Sequence, residues 1–452
     1  MAVALDFTYR YPFASSIGLE GSELGLSLAT CDAKRGHPHF FSGRMRQPKV
    51  VGDMLLALCQ VVRTHFFIAR PPRLDPVVTS SPEMLRLEGF SGCCGVYARV
   101  DLPGQAFDRD IQGRGTTNVD FNDAMRASLA RLRDNDDAQL HVGREGVELE
   151  VAGQRVIEKK VKLPVRWIKG FSEVQAYQAG LQLRIEVPAA EARRFLRSLP
   201  SGVGPKRVSY VVQSGAALRL TQLKRPGAVP LEGMNRVRVI EPLMTGARSL
   251  RIWTDDESGT SGWEVLFATG RFFLMLSPQL RRGFSGEGQV LQKLASRRWQ
   301  EALPYVQSQL AWQTQIDTSV MAGKIGLPLD EVEAALAVLG SRGLAGYDVD
   351  AGRYFHRELP FDLERIEALQ PRLKDARELM AKGGVAILTD LGSGDFDVGV
   401  QGTGVQHHVR LRADGDRCTC PWFSKYQGER GPCKHVLAAR MFVEDLEQGN
   451  ES

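Results

Sequence analysis

Residues 418–441 have the sequence CTCPWFSKYQGERGPCKHVLAARM, in which two short motifs predict a metal site. The first motif is Cys418-Thr-Cys420, and the second, after twelve intervening residues, is Cys433-Lys-His435. Three cysteine sulfurs and one imidazole are donors that tetrahedral Zn²⁺ prefers, and four protein ligands are typical of a structural site. We therefore expect these four side chains to bind Zn²⁺, with no open position for a catalytic water.

The residues around the two motifs predict the elements that carry them. Residues 396–401 and 406–412 alternate as strands do, and Asp414-Gly415-Asp416 forms a turn before the first motif. After the second motif, residues 436–446 have apolar side chains at helical spacing. One ligand pair should lie on a turn and the other at a helix start, so that zinc holds together a ββα module.

This pattern resembles the SWIM zinc finger, whose signature is C-x-C, a variable spacer and C-x-H. Trp422, Gly431-Pro432 and the Val-Leu-Ala-Ala sequence at 436–439 support the resemblance, which covers the C-terminal unit. The whole chain is less specifically similar to bacterial SWIM-containing proteins of similar length. The resemblance implies a zinc module that binds DNA or other proteins, beside Swi2/Snf2-type ATPases or within mutator-type transposases. It implies no catalysis by the zinc ion.

Other residues that can ligate metals are interpreted as structural. His407 has the same strand parity as the neighbouring valines, so it should face the core while His408 faces the solvent. Neither is expected to bind metal. Cys93 and Cys94 lie in an apolar segment between glycines, which favours a pair of buried thiols over a redox site.

The chain as a whole is predicted to be a multi-domain α+β protein, because helices and strands follow in mixed order and not as regular βαβ repeats. The chain is also longer than a domain with a single hydrophobic core usually is. We expect four regions: an N-terminal α/β region at 1–121, a basic α+β domain at 122–300, a winged-helix-like unit at 301–370 and the SWIM zinc module at 371–452.

Hydrophobic patterning before residue 300 predicts several individual elements. The helices are expected at 50–67, from an Asn122 N-cap to near Arg133, at 166–179 and at 189–198; the strands are expected at 181–187, 249–253 and 263–267. Residues 113–118, which are polar and contain glycine, are expected to form a loop.

The winged-helix expectation comes from residues 317–357. Helices at 319–325 and 329–342 flank a Gly-Leu-Pro turn, and strands at 344–349 and 353–357 flank a hairpin turn. In DNA-binding proteins of this kind the second helix presents its N-terminal end to the groove. Here that end carries Asp330, Glu331 and Glu333, which a phosphate backbone repels. We therefore expect this unit to have a structural or protein-docking role.

Positive charge is concentrated in the middle of the sequence. Residues 151–226 contain fifteen Lys and Arg against four Glu and no Asp, whereas the whole chain has a net charge of only +5. Such a field attracts polyanions, and interleaved aromatic residues (Trp167, Phe171, Tyr177 and Phe195) would allow stacking on single strands. The candidate nucleic-acid-binding residues are Lys159, Lys160, Lys162, Arg166, Lys169, Arg193, Arg194 and Arg197. The alternative is that these are solvated faces of ordinary elements, or that they attract acidic proteins.

Several classes of protein are not expected from this sequence. The most apolar long segment, 50–69, contains Asp53 and Arg63, which argues against a membrane span. The N-terminus lacks the features of a secretory signal, and seven cysteines suit a reducing compartment, so we expect a cytoplasmic protein. The sequence contains no P-loop, H-E-x-x-H or G-x-S-x-G motif, and it indicates no small-molecule substrate.

The sequence favours two alternative functions. In the first, the chain is a non-catalytic zinc protein that binds nucleic acid, DNA in particular, through its basic centre with help from the SWIM module. In the second, it is a protein-interaction adaptor that docks partners such as an ATPase. An enzyme of unrecognised type in the N-terminal half is a third, weaker alternative.

Overall fold

The computed structural model describes residues 16–20, 23–27, 39–66, 76–108, 113–144, 146–161, 165–200, 208–280, 283–284, 288, 290–295, 299–359, 370–428 and 430–450. Their buried apolar side chains form two hydrophobic cores. The first core consists mainly of residues between Phe40 and Phe284, and the second of residues between Val290 and Val443. Region 1–121 and residues 122–284 of the second region therefore share the first core, whereas residues 290–299 and most core residues of the two C-terminal regions belong to the second.

The elements before residue 290 include all those of the N-terminal sheets. Strands β1 to β17 are Ser16–Glu20, Glu23–Ser27, His39–Arg44, Val77–Ser80, Met84–Phe90, Val96–Pro103, Gly115–Asn118, Ala138–Gly143, Gly146–Val151, Gln154–Lys159, Gln182–Pro188, Ser209–Ser214, Ala217–Thr221, Val229–Leu231, Ser249–Thr254, Ser261–Leu266 and Arg271–Leu276. Helices α1 to α5 are Pro48–Arg63, Asp123–Arg131, Val165–Ala179, Ala189–Ser198 and Met234–Val237, with 3₁₀ turns at Gly104–Ala106 and Arg238–Thr245.

Antiparallel pairing joins most of these strands into two principal sheets. The large sheet has eight strands in the order β11-β15-β16-β17-β6-β5-β4-β7, and the small sheet has four in the order β10-β9-β8-β3. In the large sheet, β17 pairs with β6 from Arg271 opposite Asp101 to Leu276 opposite Val96. This pairing unites strands from both sides of residue 121, so the first two predicted regions share a sheet as well as a core.

The second core contains the helix-turn-helix-hairpin segment and the C-terminal unit. Its helices α6 to α12 are Leu291–Ala295, Trp299–Ser308, Thr318–Ile325, Leu329–Ser341, Pro371–Ala381, Pro421–Tyr426 and Lys434–Asn450. Its strands β18 to β23 are Ala345–Asp348, Arg353–His356, Val385–Gly392, Asp395–Gln401, Gln406–Leu411 and Arg417–Cys418. Strands β20 to β23 form the C-terminal sheet, in sequence order.

A buried ionic network connects the β18–β19 hairpin to the large sheet. Arg86 Nη2 lies 2.7 Å from Asp348 Oδ2, and Arg99 donates to the carbonyl oxygen of Tyr347 at 2.6 Å. Arg271 contacts both Asp348 and Asp101. Burial alone would raise the pKa of Asp348, but the guanidinium groups of Arg99, Arg271 and Arg86 hold it well below its ordinary range. The hairpin is thus fixed to the sheet by charges that are costly to separate.

Most of the predicted helices and strands are present. Helices α1, α3, α4, α8 and α9 and the β18–β19 hairpin lie where the sequence places them, to within a few residues. The Asn122 cap of α2 is also confirmed, because its side-chain oxygen accepts a hydrogen bond from Met125 N at 3.0 Å.

The loop predicted at 113–118 is wrong, because residues 115–118 form β7 at the edge of the large sheet. This strand is buried and pairs with β4 from Ser80 opposite Gly115 to Val77 opposite Asn118. Its polar side chains form hydrogen bonds inside the protein: Thr117 Oγ1, for example, donates to the carbonyl oxygen of Arg144 at 3.2 Å. Among the described helices, none is long and apolar enough to cross a membrane.

Candidate metal centre

The four predicted ligands come together between the C-terminal sheet and helix α12. Cys418 ends β23, Cys420 caps the N-terminus of α11, Cys433 directly precedes α12 and His435 lies in the first turn of α12. All four side chains are buried, and one ligand atom from each lies within 4.8 Å of the others. The site therefore links two segments that are separated in sequence, as the spacing predicts.

The distances between the donors fit a tetrahedral zinc ion. Zn–S and Zn–N bonds of about 2.3 and 2.0–2.1 Å at tetrahedral angles place neighbouring donors about 3.6–3.8 Å apart. The Sγ atom of Cys418 lies 3.9 Å from Nδ1 of His435. The other ring nitrogen, Nε2, is buried and has no hydrogen-bond partner among the described residues. Zn²⁺ therefore fits the Cys₃His set in both size and donor chemistry.

Backbone amides around the sulfurs favour their thiolate forms. The amide nitrogens of Cys420, Phe423 and Val436 each donate to a cysteine sulfur at 3.4 Å. Hydrogen bonds from the Cys418 and Cys433 side chains lower the pKa of Cys420, whereas hydrogen bonding to Cys420 raises the pKa of Cys418. A zinc ion bound by three thiolates displaces the shared protons, so zinc binding should release protons.

Charged side chains hold the two ligand loops in place. Arg440 of α12 forms a bidentate ion pair with Asp416, two residues before Cys418, at 2.6 and 2.7 Å. Arg372 of α10 donates to the carbonyl oxygens of Arg430 and Pro432 at 2.8 and 2.9 Å, just before Cys433. Both motifs are thus positioned by residues that do not themselves ligate the ion.

The elements predicted around the ligands can be compared one by one with those of the C-terminal unit. The two predicted strands correspond to β21 and β22, and the predicted helix to α12, but β20 and β23 extend the sheet. Strand β20 is an edge strand whose side chains are mostly exposed, so it lacks the alternation that predicts a half-buried strand. His408 is exposed, as predicted, whereas His407, which was expected to face the core, is only half-buried, with its ring 4.4 Å from that of His435.

A group of aromatic and cationic side chains lies next to the zinc ligands, and we call it the aromatic-cation group: Trp422, Lys425 and Tyr426 of α11, with Arg372 of α10 and Arg430. The rings of Trp422 and Tyr426 are 4.5 Å apart. The guanidinium of Arg430 lies 5.5 and 4.9 Å from these two ring centres, Arg372 lies 4.8 Å from Trp422, and Lys425 Nζ lies 5.1 Å from Tyr426. Trp422 was recognisable from the sequence as part of the SWIM signature. The contact of Arg372 with Trp422 was not, because Arg372 lies on a helix some 50 residues earlier and short-range patterns do not detect such contacts.

The predicted basic residues lie on three elements of the first core. Lys159 and Lys160 are exposed at the end of β10; Arg166 is exposed and Lys169 half-buried on α3. On α4, Arg194 pairs with Glu191 at 2.9 Å, while Arg193 and Arg197 both contact Glu241, at 3.6 and 2.7 Å. Lys162 lies outside the described residues. The positive charge of α4 is therefore partly neutralised within the protein.

The prediction that interleaved aromatic residues are available for stacking is wrong. Trp167 and Phe171 have no exposed surface, and Tyr177 and Phe195 are 2% and 3% exposed. These rings pack in the first core, where Trp167 and Phe171 contact Phe90. Because α3 and α4 are amphipathic, their aromatic residues face inward while their cations face the solvent.

Cys93 and Cys94 are both in the thiol form, and only Cys94 is fully buried. Its sulfur lies 3.8 Å from the carbonyl oxygen of Arg166, and Cys93 Sγ lies 3.3 Å from Ser91 Oγ. The expected pair of buried thiols is therefore correct for Cys94, while Cys93 is half-buried.

Comparisons with known proteins agree with the C-terminal site. Residues 407–439 match the family model of the SWIM zinc finger, so the chain contains a SWIM zinc finger with a Cys₃His cluster suited to Zn²⁺. No curated protein matches the chain. Among solved structures, the crystal structure of Proliferating Cellular Nuclear Antigen from Entamoeba histolytica aligns with 53% of this chain and 99% of its own, at a TM-score of 0.36 and 10% sequence identity.

Proposed function

We propose that this SWIM zinc finger chain is a non-catalytic, cytoplasmic protein that binds nucleic acid, DNA in particular, through its zinc module and its basic centre. The observation that carries this proposal is the aromatic-cation group around α11. Half-exposed rings can stack on bases, and the neighbouring cations can contact phosphates. The four protein ligands of the zinc site support a structural and not a catalytic role for the ion.

The zinc site and the aromatic-cation group are mechanically connected. Cys420 is both a zinc ligand and the N-cap of α11, since its sulfur accepts a hydrogen bond from Phe423 N. Trp422, Lys425 and Tyr426 all lie on this short helix. Loss of zinc should therefore disorder the proposed nucleic-acid surface, and binding should depend on the metal even though the metal does not touch the ligand.

The basic centre would add sequence-independent affinity to this surface. Lys159, Lys160 and Arg166 are exposed and can contact phosphates directly. The arginines of α4 are more exposed than their partners: the side chains of Arg194 and Arg197 are 78% and 58% exposed, whereas those of Glu191 and Glu241 are 11% and 22% exposed. If an α4 arginine turned toward a phosphate, a mostly buried carboxylate would lose its cation, so the exposed lysines and Arg166 are the better candidates for phosphate contacts.

We further propose that the winged-helix-like unit at 301–370 serves as a scaffold and does not read DNA. Helix α9 takes the place of a recognition helix, but most of its residues from Val332 to Ser341 are buried. It packs against α3, α7 and α8, which leaves little surface for a groove. The exposed residues at its start, Asp330 and Glu333, are acidic.

The second candidate function is that of a protein-interaction adaptor that docks partners such as an ATPase. The exposed edge of the C-terminal sheet favours this function. Strand β20 has Leu388 and Leu391 at 44% and 55% exposure, and nearby Val405 is 53% exposed. An edge strand with exposed apolar residues is a suitable template for a strand from a partner protein.

Fluorescence anisotropy with labelled single-stranded DNA, duplex DNA and RNA over a range of salt concentrations tests the first proposal. For the wild type, the logarithm of the binding constant should fall linearly with the logarithm of the salt concentration, with a slope that corresponds to several phosphate contacts. Lys425→Gln and Tyr426→Ala should weaken binding, whereas Lys324→Gln, an exposed lysine on α8, should not. Zinc content and thermal melting of each variant establish that the module is intact.

Absence of binding to all three ligands at low ionic strength would eliminate the nucleic-acid proposal. The adaptor proposal would then predict a stable protein partner in affinity purification, lost on Cys433→Ala and on Leu388→Asp or Leu391→Asp. These outcomes separate the two functions, because Lys425→Gln leaves the β20 edge unchanged.

A further inference from the structure

We propose that the chain has a second metal site, on the small sheet, for a divalent transition-metal ion such as Zn²⁺, Co²⁺ or Ni²⁺. The ligands are His141 of β8, Glu148 and Glu150 of β9, and His39 of β3. This site contains no cysteine and lies in the first core's part of the chain, so it is distinct from the SWIM zinc finger.

The strand register brings these residues to one face of the sheet. His141 lies opposite Glu148, and Glu150 follows two residues along the same strand, which places it on the same face. One ligand atom from each of His141, Glu148 and Glu150 lies within 4.8 Å of the others. Nε2 of His39 lies 3.8 Å from Glu148 Oε2, and its ring centre is 5.3 Å from that of His141. Small side-chain rotations would bring four donors onto one ion.

A neighbouring hydroxyl orients the central histidine. Ser42 lies opposite His141 on the adjacent strand, and its Oγ atom is 2.8 Å from His141 Nδ1. When Nδ1–H donates to this hydroxyl, Nε2 carries the lone pair that a metal requires. A hydrogen bond of this kind to the non-ligating nitrogen is a regular feature of metal-binding histidines.

Arg155 on β10 competes with an ion for the same carboxylates. Its Nε atom lies 3.3 Å from Glu148 Oε1 and 2.9 Å from Glu150 Oε2. One guanidinium facing two carboxylates leaves a net charge of −1 at the site, which a divalent cation neutralises better. The Arg155 side chain is 61% exposed, so it can turn toward the solvent when an ion binds.

The donor set selects the class of ion. Two imidazoles with two carboxylates suit borderline transition metals, whereas Ca²⁺ and Mg²⁺ prefer oxygen donors alone. Without thiolates, and with Arg155 as a competitor, this site should bind more weakly than the SWIM zinc finger. It should therefore be occupied by a second, weaker equivalent of metal.

The proposal is tested by titrating the zinc-loaded, full-length protein with Co²⁺. Isothermal titration calorimetry and visible absorption monitor the binding. The wild type should take up one further ion, with the weak absorption of nitrogen and oxygen ligation and no sulfur charge-transfer band. His141→Ala should weaken this binding at least tenfold, while Arg155→Gln should tighten it. His408→Ala, which removes an exposed histidine elsewhere, should leave it unchanged.

The two variants in the small sheet act in opposite directions, so misfolding of one cannot imitate the expected pattern. The proposal is overturned if no further Co²⁺ binds, if His408→Ala weakens binding as much as His141→Ala, or if Arg155→Gln fails to increase the affinity. A sulfur charge-transfer band from the added ion would also overturn it, because that ion would then be in the zinc finger.

Discussion

Replacement of Asp348 by Asn should destabilise the protein strongly, because Asp348 is the acidic centre of the network between the β18–β19 hairpin and the large sheet. Its side chain has no exposed surface and contacts Arg86 at 2.7 Å, Arg99 at 3.7 Å and Arg271. With the charge removed, all three guanidinium groups still contact the buried carboxylate of Asp101, and Arg271 also contacts the buried Glu264 at 3.6 Å. Removing one partner of a buried ion pair costs about 3–5 kcal/mol. The neutral amide keeps a hydrogen-bond acceptor, so the loss should be near 3 kcal/mol.

Asp350 provides the matched control for this substitution. It contacts the same Arg271, and also Arg251, both at 2.6 Å, but its side chain is 37% exposed. Water can replace those contacts, so Asp350→Asn should cost about 1 kcal/mol or less. Equilibrium urea denaturation followed by tryptophan fluorescence measures both variants. If Asp348→Asn costs no more than Asp350→Asn, the network does not hold the hairpin on the sheet as described.

Three further predictions concern single residues. Arg440→Ala removes the bidentate contact with Asp416 and should lower zinc affinity about 10- to 100-fold in a chelator competition, with exposed Arg410→Ala as a control that should have no effect. Burial raises the pKa of Glu173 to about 7 against hydrogen bonds from Val290 and Gln370. The folded state therefore binds an extra proton between the ordinary glutamate pKa and pH 7, so stability should fall as pH rises through this range. Burial also raises the pKa of Glu158, Glu264 and Glu358 to about 7, so Glu173→Gln should reduce but not abolish the stability difference between denaturation curves at pH 5 and 8, and an unchanged difference would refute the assignment. Gly113→Ala should reduce the soluble, folded fraction, because a Cβ atom there would lie 1.3 Å from the carbonyl oxygen of Phe40, whereas Gly104→Ala, with no atom within 4 Å of its Cβ, should behave as wild type.

Features that depend on short-range sequence patterns could be predicted. The zinc ligands are recognisable from two short motifs, and α1, α3 and α4 from helical periodicity, because each pattern lies within one or two elements. The Asn122 cap is equally local, since the side chain bonds an amide three residues away.

Features that depend on long-range packing could not be predicted. Arg86 and Glu88 alternate with Leu85 and Leu87, as in a strand with one solvated face, yet both charged residues are 1% exposed. A hairpin more than 250 residues later covers that face and supplies the opposing charges. The same limit applies to residues 151–226. Their cations and aromatic residues can be counted in the sequence, but which helix face packs against the first core, and therefore buries the aromatic residues, depends on long-range packing.

X-ray absorption at the zinc edge of the full-length protein, washed with a weak chelator to clear weaker sites, tests the Cys₃His zinc finger most directly. We expect one ion per chain with three sulfur ligands at about 2.3 Å and one nitrogen ligand at about 2.0–2.1 Å. Cys418→Ser should lose the ion. A folded C-terminal unit without zinc, or an ion with fewer than three sulfur ligands, would contradict this assignment.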